Sequence, residues 1–242
     1  LSKIYVPKYK TDTFELFKKR MKNSEKIVLQ NVLSKKLYIN YMAVTFVKHG
    51  KVRDIYRIGY NLMAFAHSDR QSAFDRQICN IPGKGQLLNK INCWWMNQTS
   101  HIIPNHYVWS SNNVLVAKEC TVIPIEVVVR GYITGSTKTS LWTHYNRGIR
   151  EYCGVSFPDG LVKDQKLEAP VLTPTTKGDV DEPISADEIV RRCIVTQKEW
   201  DYISSKALEL FEYGTMVAKQ HNLILVDTKY EFGRDVDGNI IL

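Results

Sequence analysis

Short runs of alternating apolar and polar residues fill the first half of the chain, and helical spacing dominates much of the second half. Residues 43–69 predict a meander of short strands punctuated by glycines. Residues 87–102 have the length and apolar spacing of a helix, which follows the Pro-Gly-Lys-Gly turn at 82–85. Residues 112–136 predict further strands, with Pro124 marking a bend or crossing because proline cannot donate to a strand ladder.

Two capping patterns introduce the clearest helical region. Ser/Thr-x-x-Glu motifs at 185–188 and 196–199 each predict a helix start, and the second helix is expected to run from 197 to about 220. The preceding residues 154–183 contain four prolines and predict a loop-rich segment. Strands first and long helices later are typical of an α+β protein.

Charged side chains occupy every second position of one predicted strand near the C-terminus. Asp227, Lys229 and Glu231 follow the apolar run at 223–226, which has the pattern of a buried strand. Three charges on one face of a buried strand need partners or a ligand, since an unpaired buried charge is costly. The pattern leaves two alternatives open: a ladder of ion pairs, or carboxylate ligands for Mg²⁺.

Length and composition are those of an ordinary globular protein. The chain has 242 residues, 44% of them apolar, and no apolar run approaches the ~20 residues that cross a bilayer, so we expect no membrane partner. Five scattered cysteines form no zinc pattern and predict reduced thiols. The six histidines form no ligand-spaced pair, so a bound metal would have oxygen ligands.

The positive net charge is concentrated in the N-terminal segment. Residues 1–40 contain nine Lys and one Arg against three acids, a net charge of +7, whereas the whole chain carries +8. The remaining 202 residues therefore carry only +1, which argues against nucleic acid as a partner. The basic segment is interpreted as a solvated extension, with an RNA- or membrane-attracted tail or a targeting remnant as alternatives.

Two groups of residues are candidates for binding phosphates. Lys51 and Arg53 lie two positions apart after Gly50 on a predicted strand, where two cations on one face can straddle adjacent phosphates. Without further evidence, these two residues are more consistent with a solvated strand face than with a phosphate site. Arg130 precedes a glycine-containing loop in which Ser136 or Thr137 can cap a following helix.

The Arg130 arrangement predicts a phosphomonoester cradle. Gly131 and Gly135 loosen the backbone so that its N–H groups can face an anion, together with the Ser136 hydroxyl. A plain strand–turn–helix connection is the alternative, and the joint occurrence of cation, glycines and hydroxyl favours the cradle.

Two charged loops have less specific patterns. Asp69, Arg70, Ser72 and Asp75 crowd one short loop, which suits a zwitterionic substrate, although local salt bridges and turn caps are commoner. The loop at 177–182 combines Lys177 with three acids and is about as consistent with a solvated loop as with a substrate-facing one.

Taken together and in this order, six motifs resemble the SAICAR synthetase family across roughly residues 44–242. They are GKVRDIY, SDRQSAFD, IPGKGQLLN, VVVRGYITGS, GLVKDQKLEAPVLTPTTK and LVDTKYEFGRD. The resemblance implies an α+β fold of two lobes, with an antiparallel nucleotide-binding sheet reminiscent of ATP-grasp enzymes and kinases and a second α/β lobe. It also implies a ligase of purine biosynthesis that uses ATP and Mg²⁺ to join L-aspartate to carboxyaminoimidazole ribotide (CAIR).

The resemblance assigns expected roles to individual residues. ATP is expected at Gly50, Lys51 and Arg53, with its adenine against the segment from Lys118 to Pro124. Glu231 is the expected Mg²⁺ ligand. The CAIR 5′-phosphate is expected at Arg130, Gly135 and Ser136; the reacting end at Asp227, Lys229 and Lys177; and further substrate contacts at Asp69, Arg70, Ser72 and Asp75.

The same resemblance divides the chain into three segments. We expect a basic extension over 1–42, a nucleotide-binding lobe over 43–123 and a substrate and metal lobe over 124–242. The family has a further Mg²⁺ carboxylate and a CAIR-holding segment after the strand that begins at Ile240, so native sequence is expected beyond Leu242. The expected location is cytoplasmic, or an organelle such as the plastid if the basic extension is a targeting remnant.

Overall fold

The computed structural model describes residues 44–73, 76–137, 140–178 and 181–242, which fall into two units. The first unit comprises the described residues up to Gln98 together with His106–Glu119, and the second comprises Thr99–Asn105 and Cys120–Leu242. The predicted division at residue 124 therefore lies four residues past the start of Cys120–Leu242, and the predicted extension over 1–42 lies outside the described residues.

Among the described residues, a five-stranded antiparallel sheet, a separate two-stranded pair and one helix make up the first unit. The elements are β1 (Val44–His49), β2 (Arg53–Ile58), β3 (Leu62–His67), β4 (Arg70–Ala73), β5 (Arg76–Asn80), α1 (Lys84–Gln98), β6 (Tyr107–Ser111) and β7 (Val114–Lys118). Five of the strands pair in the order β1-β2-β3-β7-β6, and β4 pairs with β5. The predicted meander and helix are thus confirmed.

Alternation along the strands builds the small core of this unit. Val44, Ile58 and Val114 are each 1% exposed and pack in one cluster; Thr45 and Arg57, beside Val44 and Ile58 on the strands β1 and β2, are more exposed, whereas β7 is buried over Val114–Ala117. Helix α1 is fixed to the sheet by Asn89, whose Nδ2 donates to the Asn112 carbonyl at 2.8 Å and to the Val114 carbonyl at 3.2 Å.

Among the described residues, a second antiparallel sheet, a two-stranded hairpin and three helices make up the other unit. The elements are β8 (Thr121–Ile133), α2 (Leu141–Asn146), β9 (Glu151–Tyr152), β10 (Val155–Ser156), β11 (Gln165–Leu172), β12 (Thr175–Thr176), α3 (Ala186–Arg191), α4 (Gln197–Gln220), β13 (Asp227–Arg234) and β14 (Ile240–Ile241). The sheet order is β11-β8-β13-β14, with β12 also paired to β8. These pairings are antiparallel. The α+β prediction is confirmed.

The long strand β8 divides this unit into an apolar and a polar side. Ile125, Val127 and Val129 are at most 2% exposed and pack in the main core with Ile203 and Phe211 of α4. Full burial of one such aliphatic side chain contributes about 1.5–3 kcal/mol. This apolar side anchors the strand while the intervening residues face away from the core.

Prolines interrupt the ladders without ending the strands. The predicted bend at Pro124 is instead a shift in register inside β8, where the pairing with β13 jumps between Glu231 and Gly233. Residues 154–183 were expected to be mainly loop, yet they contain the eight-residue strand β11, whose register shifts between Lys166 and Val171. A proline needs no ladder donor at such an irregularity.

The expected buried strand over 223–226 is wrong. Leu223 and Ile224 are 66% and 69% exposed, and β13 begins only at Asp227. The helix α4 ends at Gln220, and Asn222 adopts a φ of 57° while the Leu223 N–H returns to the Ala218 carbonyl at 2.9 Å. Closing the helix end in this way leaves 223–226 as a connection rather than a strand.

The two capping motifs differ in the structure. Thr196 accepts from the Glu199 N–H at 3.3 Å and its own N–H donates to the Glu199 carboxylate at 2.8 Å, a complete capping box for α4. Ser185 accepts from the Glu188 N–H at 3.2 Å, but the Glu188 carboxylate pairs with Arg191 and Arg192 instead. The second motif is confirmed and the first is only half formed.

Thr196→Ala should lower the free energy of unfolding by about 1 kcal/mol, because it removes the hydroxyl that caps α4. Thr215→Ala in the same helix is the matched control, since Thr215 donates to the Phe211 carbonyl inside the helix and alanine favours helix, so its effect should stay within about 0.5 kcal/mol. Urea unfolding followed by circular dichroism measures both. Equal losses in the two variants would contradict the capping role.

Candidate functional site

One face of the β8–β13 pair carries a row of charged side chains, hereafter the charged face. The antiparallel register sets Asp227 opposite Arg130, Lys229 opposite Val128 and Glu231 opposite Glu126. Directly opposed residues point to the same side of a sheet. The charged face therefore consists of Glu126, Arg130, Asp227, Lys229 and Glu231.

The opposite face of β13 lies towards the core. Phe232 is 2% exposed, and burial raises the pKa of Tyr230 to about 12. Asp227, Lys229 and Glu231 are in contrast all exposed. The predicted alternation is confirmed. The three charged side chains are not buried, however, because their side of the strand is open to solvent, so no cost of burying a charge has to be offset there.

Arg130 is held in place from two sides. Its Nε donates to Thr173 Oγ1 at 2.8 Å and its Nη1 donates to Asp227 Oδ2 at 3.5 Å. The Arg130 side chain is only 12% exposed, whereas that of Asp227 is 47% exposed. A guanidinium fixed in this way is a preorganised cation with little freedom to lose on binding an anion.

Lys229 reaches diagonally across the pair to Glu126. Its Nζ donates to Glu126 Oε1 at 2.7 Å, and the Thr175 hydroxyl lies 3.4 Å from Glu126 Oε2. The Glu126 side chain is 8% exposed and that of Lys229 is 48% exposed. The ammonium is therefore anchored to a buried carboxylate while its stem remains open to solvent.

Glu231 forms an ion pair with Lys177, and both side chains are 40% exposed. Among the described residues no group of three or more His, Cys, Asp or Glu side chains could enclose a metal ion. Mg²⁺ usually keeps several water ligands and takes only one or two carboxylates together with substrate phosphates. A single accessible carboxylate such as Glu231 fits that mode of binding, and an all-protein cage does not.

The segment Thr173–Lys177 supplies a partner for three of these groups. Thr173 binds Arg130, Thr175 binds Glu126, and Lys177 binds Glu231. The segment runs beside β8 through backbone bonds from the Thr173 N–H to Val128 and from the Lys177 N–H to Pro124, at 2.8 and 3.0 Å. Alternate residues of the segment consequently line the charged face.

Sequence reasoning missed Glu126, Thr173 and Thr175. Glu126 lies four residues before Arg130 in the run IPIEVVVR, where a period of two puts both on one strand face. From that spacing Glu126 could have been predicted to lie beside Arg130. The two threonines carry no comparable signal, because their partners lie 43 and 49 residues away in the chain.

The loop after β8 differs from the predicted cradle. Gly135 has a φ of 100°, and a Cβ there would lie 2.4 Å from the Ser140 Cβ, so only glycine fits. The residue that precedes α2 is Ser140, rather than the predicted Ser136 or Thr137. Ser136 is exposed, and the described contacts do not join it to Arg130.

The other predicted phosphate site lies at the turn between β1 and β2. The Gly50 N–H donates to the Arg53 carbonyl at 2.8 Å, and a Cβ on Gly50 would lie 2.8 Å from that oxygen. Lys51 belongs to this turn, whereas Arg53 is the first residue of β2. The two cations do not share one strand face, because the chain turns between them. Arg53 instead lies with its guanidinium 5.1 Å from the centre of the Phe65 ring.

Arg70 braces the same turn. Its Nη2 donates to the Gly50 carbonyl at 2.9 Å and to Asp54 Oδ1 at 2.8 Å, and its side chain is 14% exposed. His49 also lies 2.7 Å from Asp54 Oδ1. The predicted substrate-facing Arg70 thus shapes the backbone next to Lys51.

Asp69 caps the start of helix α1. Its Oδ1 accepts from the Gly85 N–H at 3.0 Å and its Oδ2 from the Gly83 N–H at 3.3 Å. Ser72 lies half-buried in β4, and Asp75 lies outside the described residues. For Asp69 the geometry is therefore that of a helix cap, the alternative that the sequence had left open.

Lys118 is the last residue of β7 and is exposed. Its N–H donates to the His106 carbonyl at 2.8 Å, and the next residue, Glu119, pairs with Arg57. Of the expected adenine segment over 118–124, residues 119 and 120 connect β7 to β8, and residues 121–124 are the first of β8.

None of the helices in the described part of the chain has both the length and the apolar content needed to cross a bilayer.

A family model described as SAICAR synthetase matches residues 46–242. Two similar curated proteins are named phosphoribosylaminoimidazole-succinocarboxamide synthase. That of Legionella pneumophila (strain Lens) is 57% identical over 195 residues, covering 80% of this chain and 62% of the relative. That of Arabidopsis thaliana, named as chloroplastic, is 60% identical over 195 residues, covering 80% of this chain and 47% of the relative. The chain thus spans roughly half to three fifths of the length of these proteins.

A solved structure also resembles the chain. It is named as the SAICAR synthase from Saccharomyces cerevisiae complexed with SAICAR, and it matches with a TM-score of 0.72 and 32% sequence identity. The match covers 82% of this chain and 72% of that one. The expected fold is confirmed by this likeness.

His67 provides a pH-dependent test of the first unit. It is 5% exposed, pairs in register with Arg53, and its Nδ1 lies 3.3 Å from the Asn113 carbonyl. Burial, followed by the charge of Arg53, lowers the pKa of His67 below its ordinary value of 6.5. The unfolded chain therefore takes up the proton more readily, so the stability linked to His67 is complete above pH 6.5 and is lost as the pH falls through the lower folded-state pKa.

His67→Gln should remove part of this pH dependence. Urea midpoints compared between about pH 7.5 and about pH 5.5 should fall further for the unmodified protein than for the variant, because glutamine does not titrate. Identical slopes for His67→Gln and the unmodified protein would contradict this role.

Proposed function

The chain belongs to the SAICAR synthetase family, and on that premise we propose that it uses ATP to join L-aspartate to the carboxylate of CAIR, giving SAICAR, ADP and phosphate. The main support is the charged face, where Arg130 and Lys229 are held by Thr173, Asp227 and Glu126 in fixed positions. The named relatives and the SAICAR complex of the yeast structure are consistent with this reaction.

In this proposal Arg130 binds the 5′-phosphate of CAIR. Its guanidinium is fixed before any ligand arrives, and a phosphate meets such a planar cation through parallel charge-assisted hydrogen bonds. Gly135 adopts a positive φ that glycine tolerates without strain, which lets the backbone after β8 turn sharply, and the exposed hydroxyl of Ser136 adds a donor.

The reacting end of CAIR is assigned to Asp227, Lys229 and Lys177. A carboxylate is a poor electrophile, so one of its oxygens first takes the γ-phosphoryl group of ATP and ADP leaves. The amine of aspartate then attacks the carbonyl carbon of this acyl phosphate, phosphate leaves, and the nitrogen loses a proton. Two ammonium groups beside the reacting carboxylate offset the negative charge that develops in both steps.

Glu231 is proposed as the carboxylate that holds Mg²⁺ at the phosphates of ATP. Its side chain is accessible, and its partner Lys177 is equally exposed and can be displaced. A bound Mg²⁺ would offset phosphate charge during phosphoryl transfer.

ATP is assigned to the first unit through Gly50, Lys51, Arg53 and Lys118. The Gly50 turn presents the backbone next to Lys51, and Arg70 fixes that turn by its bond to the Gly50 carbonyl. Arg70 therefore acts on nucleotide binding through the turn. Substrate contacts from Ser72 and Asp75 also remain part of the proposal, whereas Asp69 acts by capping α1.

The partners proposed for the chain are small molecules: ATP, L-aspartate and CAIR. A cytoplasmic location is proposed, with the plastid as the alternative that the names of the Arabidopsis thaliana and Vigna aconitifolia relatives favour.

The reaction is tested by measuring ADP release with each substrate omitted in turn. ADP should form over many turnovers only when CAIR and L-aspartate are both present, and SAICAR should appear in equal amount by mass spectrometry. Continued ADP release, well beyond one equivalent per protein, with CAIR but without aspartate would indicate a phosphotransferase instead and would contradict the proposal.

Arg130→Ala should raise the KM for CAIR by roughly 10- to 100-fold, because hydrogen bonds to charged groups contribute about 1.5–3 kcal/mol. The KM for ATP should change far less. Arg191→Ala is the matched control, since Arg191 pairs with Glu188 on the exposed side of α3. Steady-state kinetics with each substrate varied measures these constants, and equal increases for CAIR and ATP would refute the assignment of Arg130.

A further inference from the structure

Glu126 is an unusual residue for its position in the sheet. It lies in the middle of β8 with its side chain 8% exposed, between residues that face the core. The register sets it directly opposite a second carboxylate, that of Glu231. Like charges that face each other across a ladder repel, and a buried carboxylate without a partner is costly.

Both oxygens of Glu126 have partners. The Lys229 ammonium lies 2.7 Å from Oε1, and the Thr175 hydroxyl lies 3.4 Å from Oε2. Thr175 itself is 7% exposed and pairs with Glu126 in the β12–β8 ladder, so its hydroxyl is set by backbone bonds. Thr175 of β12 and Lys229 of β13 thus each bind one oxygen of the Glu126 carboxylate, which holds it in one orientation.

Stability alone does not account for a charged pair here. A buried ion pair is often no more stabilising than apolar residues of similar volume. The next residue on the same face of β8 is Val128, 9% exposed, so an apolar side chain is accommodated there. The pair does have one further consequence, because it fixes the end of a flexible four-carbon side chain that is otherwise 48% exposed.

We infer that Glu126 is a positioning residue, which holds the Lys229 ammonium at the reacting carboxylate of CAIR. Thr175 supports it by fixing the orientation of the carboxylate. The inference rests on the proposed function, in which Lys229 offsets the charge that develops at that carboxylate. A lysine held in place before the substrate binds loses less side-chain freedom in the transition state, which raises kcat rather than affinity.

Glu126→Gln keeps the shape of the side chain and removes its charge. The kcat should fall by about 10- to 100-fold, as expected for a misplaced catalytic group, while the KM for ATP stays within about twofold of its value in the unmodified protein. Glu209→Gln is the matched control, because Glu209 pairs with Lys206 on α4 and lies outside the charged face; its kcat should not change. A normal kcat in Glu126→Gln would overturn the inference.

A double variant distinguishes positioning from a general loss of structure. If Glu126 acts through Lys229, adding Glu126→Gln to Lys229→Met should cause no further fall in kcat. A further fall of the same size as in the single variant would contradict action through Lys229. If Glu126→Gln does not fold, Thr175→Val takes its place, and it should lower kcat in the same direction by a smaller factor; an unchanged kcat would then overturn the inference.

Chemical labelling tests the anchoring of Lys229 without any catalytic activity. Lys229 should be acetylated by acetic anhydride faster in Glu126→Gln than in the unmodified protein, measured by mass spectrometry relative to Lys206 in the same sample. Equal rates in the two proteins would overturn the inference. If the unmodified protein releases no ADP in the presence of both substrates, the proposed function fails, and the labelling result still decides whether Glu126 holds Lys229.

Discussion

The register between β8 and β13 is the constraint on which the second unit depends. Because side chains alternate along a strand, a shift of one residue would turn Asp227, Lys229 and Glu231 into the core and Tyr230 and Phe232 out of it. The cost of burying three charges and exposing two aromatic rings excludes that alternative. Packing against α4 and the chemistry of the charged face are therefore specified by the same pairing.

The charged face together with Lys177 carries three positive and three negative side chains. Arg130 pairs with Asp227, Lys229 with Glu126, and Lys177 with Glu231, so three cations meet three carboxylates. An exposed pair such as Lys177–Glu231 contributes little to stability, and a pair with a buried member is often no more stabilising than apolar residues of similar volume. The value of these pairs lies in geometry, since each cation is held where an anionic ligand can reach it. The segment Thr173–Lys177 links the three pairs, and this explains why its alternate residues are polar.

Much of this arrangement was predictable from local patterns. The capping box at Thr196 and the helical spacing after it gave the bounds of α4, and the alternation after Asp227 gave the two faces of β13. Partners were not predictable, because the Lys229–Glu126 bond joins residues 103 positions apart and the Arg130–Asp227 bond joins residues 97 apart. Local spacing also failed at 223–226, where Leu223 and Ile224 follow a helix end and remain exposed.

In the proposed function the charged face binds the CAIR portion of the product, and a crystal structure with SAICAR bound tests this most directly. The 5′-phosphate should lie within hydrogen-bond distance of the Arg130 guanidinium. The amide formed from aspartate should lie beside the Lys229 ammonium, with Lys229 still bonded to Glu126. A complex in which SAICAR binds without contacting Arg130 or Lys229 would contradict the account.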